Sequence, residues 1–201
     1  MKLIVASRNR HKVKELRDLL AAHLGEAPEL VTMDEAGFTE EIVEDGVSFA
    51  ENACIKAETV CAATGCAAVG DDSGLCVTAL DGAPGIYSAR YGKDDNDRIS
   101  RVLRELEGKS DRSARFVCVI AIAINGEVIE TFEGVMEGTI IDAPRGENGF
   151  GYDPIFVPAG ETRTFAEMSF KEKNKISHRA KALKKALDFI EDEMSVLNDD
   201  F

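Results

Sequence analysis

The sequence predicts a single α/β domain built on a mixed central sheet. At 201 residues the chain is long enough to bury one well-packed core. Helix and strand patterns alternate along it, which favours helices packed on a sheet. Asn125-Gly126 between two apolar runs is the pattern of a two-residue hairpin, so at least one strand pair is antiparallel. We place the domain at residues 1–197 and a frayed acidic tail at residues 198–201.

The first half of the chain opens with an apolar run that predicts a buried strand. From Asn9 onward, apolar residues recur at helical spacing. Ser48 followed by Glu51 has the spacing of a capping box, which predicts a second helix that stops before Gly65. The predicted strands and helices of this half cover residues 2–7, 9–24, 48–63, 67–70 and 75–80.

The second half continues the alternation and contains the hairpin. Residues 143–154 are too rich in Gly and Pro for regular structure and predict a loop. A final amphipathic helix begins near Ser177, with one apolar face formed by Ala180, Leu183, Leu187 and Ile190. The other predicted elements are a helix at residues 94–106 and strands at residues 114–124, 127–132 and 134–141.

Composition excludes several classes of protein. Twenty-four Lys and Arg against 37 Asp and Glu give a formal net charge of −13, which repels nucleic-acid phosphates. The five cysteines are odd in number and form no C-x-x-C pair, so we expect free thiols and a reducing cytoplasm. Since no apolar run reaches about 18 residues, we expect neither a signal peptide nor a membrane span.

Two adjacent carboxylates, Asp71 and Asp72, follow the apolar run that ends at Gly70. Mg²⁺ prefers oxygen ligands, usually one or two carboxylates together with substrate phosphates, so the pair predicts a metal site at the end of a strand. Ser73 would then contact a phosphate. The same residues also suit a turn between two strands, because Asp-Ser-Gly is common in turns. The residues alone leave both interpretations open.

The segment Ser7 to Lys12 lies where the first strand passes into the first helix. Free backbone N–H groups, the helix dipole and Lys12 all favour a phosphate there. The segment lacks the spaced glycines of a Walker loop. An ordinary Asn9 cap with solvated cations is the alternative.

An acidic run precedes the second predicted helix. Such a run is usually a solvated loop, although one of its carboxylates is a candidate second metal ligand. Glu51 is explained by the capping box. Lys56 suits an exposed helix face, or a triphosphate contact if the helix borders a cleft. The run comprises Glu40, Glu41, Glu44 and Asp45.

The loop Gly149 to Pro154 carries two aromatic residues and a carboxylate. Its glycines allow a close approach to a ligand, which suits stacking on a nucleobase. The alternative is a surface turn whose Phe150 and Tyr152 cover the core. Two interpretations are also open for the segment Ser177-His178-Arg179. It forms either a helix cap followed by exposed polar residues or part of a site.

Four separated motifs together resemble one known family. They are SRNRHK at residues 7–12, VGDDSGL followed by GAPGIYSARYG at residues 69–92, GFGYDPIF at residues 149–156 and SHRAKAL at residues 177–183. In this order they closely resemble the inosine triphosphate pyrophosphatase, or Ham1-like, family over residues 3–187. The resemblance implies Mg²⁺-dependent hydrolysis of ITP, dITP and XTP to the monophosphate and pyrophosphate, which cleanses the nucleotide pool. It also implies an elongated domain with a cleft between two lobes, and a homodimer.

The resemblance also assigns residues. Asp72 matches the catalytic carboxylate, as both metal ligand and base for the attacking water. Glu44 matches the second metal ligand, with Glu41 as the alternative. The matching substrate-binding residues are Ser7, Arg8, Asn9, Arg10, His11, Lys12, Lys56, Ser73, Phe150, Gly151, Tyr152, Asp153, Lys173, His178 and Arg179.

Base selectivity follows from hydrogen bonding. Donors from His178 and Arg179 would favour the 6-oxo group of hypoxanthine and xanthine over the amino group of adenine. GTP shares the 6-oxo group, so its rejection must depend on position 2 of the ring. Two rival functions are a nucleotide-binding regulator without turnover and an aspartyl-phosphate phosphatase using Asp71 or Asp72. The D-x-D-x-T pattern of such phosphatases is absent.

Overall fold

Six strands form one mixed sheet in the order β2-β1-β3-β4-β5-β6 in the computed structural model, which describes residues 2–24 and 29–199. The strands are β1 (Lys2–Val5), β2 (Glu29–Thr32), β3 (Ala68–Val77), β4 (Ser113–Ile124), β5 (Glu127–Ile140) and β6 (Phe156–Pro158). The helices are α1 (Arg10–Leu24), α2 (Phe49–Thr64), α3 (Asp95–Glu105), α4 (Phe170–Ile176) and α5 (His178–Asp199).

The sheet has a parallel half and an antiparallel half, as the hairpin pattern predicts. β1 pairs in parallel with β2 and β3, whereas β3, β4, β5 and β6 pair antiparallel in succession. Asn125 and Gly126 join β4 to β5 with φ values of 56° and 85°. These left-handed conformations suit the twist of a two-residue hairpin. The predicted mixed sheet is confirmed.

The prediction of two short strands around Asp71 is wrong, because β3 continues without interruption from Ala68 to Val77. The long apolar strand β4 pairs with β3 along its whole length, with Asp71 opposite Ile120 and Gly74 opposite Val117. Sheet hydrogen bonds therefore satisfy the backbone of this segment, and no turn forms. The two carboxylates lie inside a central strand rather than at a strand end.

Helices cover both faces of the sheet. α1 and α5 pack on one face, in a core that includes Leu16, Ile120 and Leu183. α2 packs on the other face, in a core that includes Ala57 and Val119. A Cβ at Gly70 would lie 2.0 Å from the carbonyl oxygen of residue 53, and one at Gly134 would lie 2.1 Å from that of residue 178. Glycine thus lets α2 and α5 approach the sheet closely.

A second lobe is formed at the far end of β3, β4 and β5. Its core joins α3 with the segment that follows β5, and includes Val102, Phe116, Met136, Phe156 and Phe165. Phe116 and Phe156 meet edge to face, with ring centroids 4.7 Å apart. The cleft that the resemblance implies lies between this lobe and the helix-covered part of the sheet.

Helix ends follow the sequence patterns. Ser48 accepts a hydrogen bond from the Glu51 backbone at 3.1 Å, and Gly65 ends α2 with φ 66°. The Glu51 carboxylate reaches back to the Val47 backbone N–H at 2.9 Å. The predicted helix start and stop are confirmed.

Several short elements were not predicted, namely β2, β6, α4 and the 3-10 turns. α5 extends through Asp199, and the last part of the predicted tail, residues 200–201, lies outside the described residues. All five cysteines are free thiols. None of the helices in the described part of the chain has the length and apolarity needed to span a bilayer.

Candidate active site

A cavity of about 610 Å³ lies between the two lobes and gathers almost all of the predicted site residues. Arg10 is the exception: it is exposed on the first turn of α1 and does not line the cavity. The predicted residues that line it are Ser7, Arg8, Asn9, His11, Lys12, Glu41, Glu44, Lys56, Asp72, Ser73, Phe150, Gly151, Tyr152, Asp153, Lys173, His178 and Arg179.

Asp71 and Asp72 point to opposite faces of the sheet, because successive side chains alternate along a strand. Asp71 faces α1 and α5, where it contacts Lys12 and Arg179. Asp72 faces α2, where it contacts Lys56. Of the two carboxylates, Asp72 lines the cavity. The two carboxylates are therefore adjacent in the sequence but lie in different surroundings.

Three charged groups meet where α2 borders the cavity. Lys56 Nζ lies 2.8 Å from Asp72 Oδ1 and 2.9 Å from Glu44 Oε2. Lys56 is buried, so the interpretation of an exposed helix face is wrong. Asn52 donates to Asp72 at 3.4 Å and accepts from the Gly46 backbone at 3.0 Å, which holds the Glu44 loop against the strand.

The ionisation of this cluster reflects its burial. Burial raises the pKa of the Asp72 carboxyl above its usual value, and Lys56 and Lys12 offset the rise only in part. Burial also disfavours the charged form of Lys56, but Asp72 and Glu44 outweigh it, so the pKa of Lys56 is raised.

The residues present fit a hard divalent cation. Glu44 and Asp72 each direct a carboxylate oxygen at Lys56 Nζ, and the cavity beside them leaves room for a cation with water and phosphate oxygens. Two carboxylates with such additional ligands form a usual Mg²⁺ site. Within residues 2–24 and 29–199, no group of three or more His, Cys, Asp or Glu side chains forms a metal cage.

Asp71 anchors a second, largely buried charge network on the other face of the sheet. The Arg179 guanidinium donates to Asp71 Oδ2 at 2.7 Å, to Ser73 Oγ at 2.8 Å and to the Glu15 carboxylate. Lys12 Nζ adds an ion pair with Asp71 Oδ1 at 2.8 Å. Burial raises the pKa of Asp71, but Arg179 and Lys12 outweigh it and hold the pKa well below its usual range. Asp71 is thus a supporting residue, and its interpretation as a turn residue is wrong.

The network continues through Lys173 to the loop at residues 149–154, called the aromatic loop below. Lys173 Nζ contacts Glu15 at 2.8 Å and Asp153 at 2.7 Å. Burial lowers the pKa of Lys173, but the two carboxylates outweigh this effect and raise it, so the ammonium stays charged. Lys173 also lies 4.9 Å from the centre of the Phe150 ring, within cation–π range. The aromatic loop is therefore tied to α1, α4 and α5.

The segment Ser7 to Lys12 begins α1 and carries the predicted cap. Asn9 Oδ1 accepts from the His11 and Lys12 backbone N–H groups at 3.0 and 3.3 Å. Arg8 pairs with Asp34 and donates to backbone carbonyls of the following loop. The helix cap and the cavity wall are thus formed by the same residues.

The loop at residues 149–154 presents one aromatic ring and buries the other. Phe150 stacks on His11, with ring centroids 5.0 Å apart and planes at 16°. Tyr152 is buried and donates its hydroxyl to the Ser88 carbonyl at 2.9 Å. A purine that stacks on the same face of Phe150 would therefore displace His11.

His178 is buried at the start of α5, which contradicts the interpretation of exposed polar residues after a cap. Its ring stacks on Phe116 at 4.7 Å, and its Nδ1 is buried without a hydrogen-bond partner among the described residues. Burial, together with Arg179 and Lys173, holds the pKa of His178 well below its usual value. The imidazole is therefore neutral, with an unpaired polar atom beside the cavity.

The neutral state of His178 predicts a pH dependence of stability. The unfolded chain binds a proton at this residue below a pH of about 6.5, and the folded chain does not, so the free energy of unfolding falls as the pH falls. Between pH 6.5 and 5.5 we expect wild type to lose about 1 kcal/mol more than His178→Gln, measured by urea unfolding. Equal losses in the two proteins would show that the folded state also protonates His178.

Sequence reasoning missed three residues that shape the site. Glu15 lies three positions after Lys12 on α1, so the helical repeat could have placed it on the same face. Asn52 and Asp95 gave no such signal. Asp95 Oδ2 accepts from the Gly151 backbone N–H at 2.7 Å and links α3 to the aromatic loop.

Comparison with known protein families gives one match across nearly the whole chain. The model of the Ham1 family matches residues 3–189. Among curated proteins, a dITP/XTP pyrophosphatase of Bacillus licheniformis is 50% identical over 188 residues, which is 91% of this chain and 94% of that protein. A dITP/XTP pyrophosphatase of Bacillus subtilis is 49% identical over 193 residues, or 94% and 96% of the two chains.

Solved structures have the same fold. A HAM1 protein from Coxiella burnetii superposes with a TM-score of 0.86 at 41% identity, and covers 96% of this chain and 99% of its own. The Staphylococcus aureus Ham1 protein gives a TM-score of 0.85 at 37% identity, with 96% and 100% coverage. The predicted α/β class with a mixed sheet therefore agrees with these structures as well.

Proposed function

The chain belongs to the Ham1 family, and on this premise we propose that it hydrolyses dITP, ITP and XTP to the nucleoside monophosphate and pyrophosphate. One observation carries the proposal. A single cavity between the lobes joins buried lysines and a base-like carboxylate at one wall with an aromatic loop at another. This arrangement suits a substrate with a triphosphate at one end and a purine at the other. Removing such nucleotides keeps them out of DNA and RNA.

Asp72 has the central role in the proposed reaction. Its position on the cavity wall, with Oδ1 held 2.8 Å from Lys56 Nζ, suits it to take the proton of the attacking water. Glu44 and Asp72 would hold Mg²⁺, which supplies charge neutralisation on the phosphate oxygens when bound. The shared contact with Lys56 favours Glu44 over Glu41 in this role.

The triphosphate is bound by cations and by the start of α1. Lys12 and Lys56 each reach the cavity beside the two carboxylates of β3. Ser73 shares the wall and is oriented by Arg179 at 2.8 Å. These donors match the charge of a triphosphate, and a local cluster of cations overcomes the overall negative charge at short range.

The purine stacks on the aromatic loop. Phe150 supplies the ring face, Lys173 Nζ lies over that ring at 4.9 Å from its centre, and His178 lines the same cavity. The Nδ1 of His178 is buried and unpaired among the described residues, so a group of the base reaches it after a small shift of the imidazole. Much of Arg179 is occupied by Asp71, Glu15 and Ser73, so its contribution to base readout uses the N–H groups that remain.

The family resemblance also implies a cytoplasmic homodimer. Exposed apolar side chains are available for an interface, since Val43, Val47 and Tyr87 are 71%, 81% and 59% exposed. The free thiols agree with a reducing compartment. We include both features in the proposal.

The reaction predicts a distinct product and a distinct substrate order. With Mg²⁺, the purified protein is expected to release pyrophosphate from dITP, ITP and XTP at least about 10²-fold faster than from ATP or GTP. A coupled pyrophosphate assay across the five nucleotides, with an orthophosphate assay in parallel, measures both. Orthophosphate as the product, or equal rates with ATP, would contradict the proposal. Tight binding without turnover would identify a nucleotide-binding regulator instead.

A further inference from the structure

Arg98 lines the cavity from the first turn of α3 and has no assigned role. Its Nη1 pairs with Asp95 Oδ1 at 2.7 Å. The other oxygen of Asp95 accepts from the Gly151 backbone N–H at 2.7 Å. One carboxylate thus holds Arg98 and the aromatic loop together, and places the guanidinium beside Gly151 and Tyr152.

The guanidinium is short of acceptors. Its Nε is buried and makes no hydrogen bond within residues 2–24 and 29–199, and Nη2 makes none within the same residues. The side chain is 23% exposed, so part of it is open to the cavity. A buried donor without a partner is unfavourable, and a ligand that brings an acceptor can improve the arrangement after a small shift of the side chain.

Arg98 lies in a different part of the cavity from Lys12 and Lys56, the proposed phosphate-binding cations. Lys12 and Lys56 pair with Asp71 and Asp72 on the central strand. Arg98 instead pairs with the residue that anchors the aromatic loop. It therefore lies at the end of the cavity where the purine stacks.

Donors at position 6 of the ring do not separate xanthine from guanine, since both carry a 6-oxo group. The two bases differ at position 2, where xanthine has an oxygen acceptor, guanine an amino donor and hypoxanthine only hydrogen. Xanthine also loses a ring proton near neutral pH, which places negative charge along this edge. A guanidinium has donors only, so it attracts the edge of xanthine, repels the amino group of guanine and is neutral toward hypoxanthine.

We propose that Arg98, oriented by Asp95, reads position 2 of the purine, favouring xanthine nucleotides and excluding guanine nucleotides. The inference rests on the proposed function, because it assigns specificity within the same site. It does not involve the phosphate or metal end of the cavity.

The test compares XTP, ITP and GTP, which share the same sugar. Arg98→Ala is expected to lower kcat/KM for XTP by about 10-fold or more, the effect of losing one charge-assisted hydrogen bond. The value for ITP should stay close to wild type, and that for GTP should rise. Arg98→Lys keeps the charge and should retain part of the XTP preference. Arg104→Ala, an exposed position on the same helix, is the matched control.

The pattern across substrates decides the outcome. Equal losses on all three nucleotides in Arg98→Ala would overturn the inference, since they would indicate a phosphate contact or a purely structural role. Unchanged ratios would overturn it as well. If Arg98→Ala does not fold by circular dichroism, the XTP to GTP ratio of Arg98→Lys decides, and a wild-type ratio overturns the inference. Absence of pyrophosphate release by wild type from both XTP and ITP would instead overturn the proposed function.

Discussion

Replacing Asp72 by Asn is expected to lower kcat by about 10²–10⁴-fold, because it removes the base while changing little volume. The carboxylate is buried on the cavity wall, 2.8 Å from Lys56 Nζ, and burial raises its pKa. An amide cannot take up the proton of water, and it is a weaker ligand for a divalent cation. Both effects reduce turnover.

The fold should survive this substitution. Lys56 keeps its ion pair with Glu44 at 2.9 Å, so the ammonium is not left alone. Pyrophosphate release from dITP at saturating Mg²⁺ measures the effect, and circular dichroism checks the fold. Asp45→Asn, an exposed neighbour of Glu44 outside the cavity, is the matched control. Near-normal turnover in Asp72→Asn would mean that another group acts as the base.

Replacing Arg179 by Met is expected to lower the free energy of unfolding by about 3 kcal/mol, the cost of breaking a buried ion pair. Arg179 is 1% exposed and joins Asp71 to Glu15. Met has a similar length but no charge. Asp71 and Glu15 keep Lys12 and Lys173 as partners, which places the cost at the lower end of the usual range.

Urea unfolding at neutral pH measures this loss. Lys184→Met removes the same charge from an exposed position on α5 and serves as the control. The double variant Asp71→Asn, Arg179→Met should lose less than the sum of the two single variants, because removing both charges leaves neither unpaired. Identical stability of Arg179→Met and Lys184→Met would show that the buried network contributes nothing to folding.

The same Arg179→Met variant also tests whether Arg179 sets the preference for 6-oxo purines. A fall in the ITP to ATP rate ratio would place base readout at Arg179. An unchanged ratio would place it at His178 or in the loop at residues 150–153. Because most of the guanidinium already binds protein groups, stability and selectivity are separate readouts of this side chain.

Local sequence patterns predicted the helix ends and turns that are set by neighbouring residues. The Ser48 cap and the Asn125-Gly126 hairpin depend on neighbouring residues only, and both are confirmed. A comparable signal was overlooked at Ser169 and Glu172, whose capping box begins α4. β2 has only four residues and pairs with one neighbour, so its existence depends on β1 rather than on its own sequence.

The segment from Asp71 to Gly74 shows where local patterns fail. Its residues favour a turn, yet the segment forms the middle of β3 because β4 supplies a partner along its length. The charges are tolerated inside the sheet because Lys56 neutralises one face and Arg179 the other. Neither partner is near in the chain, so the outcome depends on tertiary contacts.

The sequence by itself determined the fold class through composition and periodicity. The resemblance of its ordered motifs to one family assigned most of the residues around the cavity. Only the tertiary structure decided how the two adjacent carboxylates differ. Strand alternation directs Asp72 to α2 and the cavity, and Asp71 to a buried network with Arg179 and Lys12. Their pKa values move in opposite directions because each face brings different charges from distant helices.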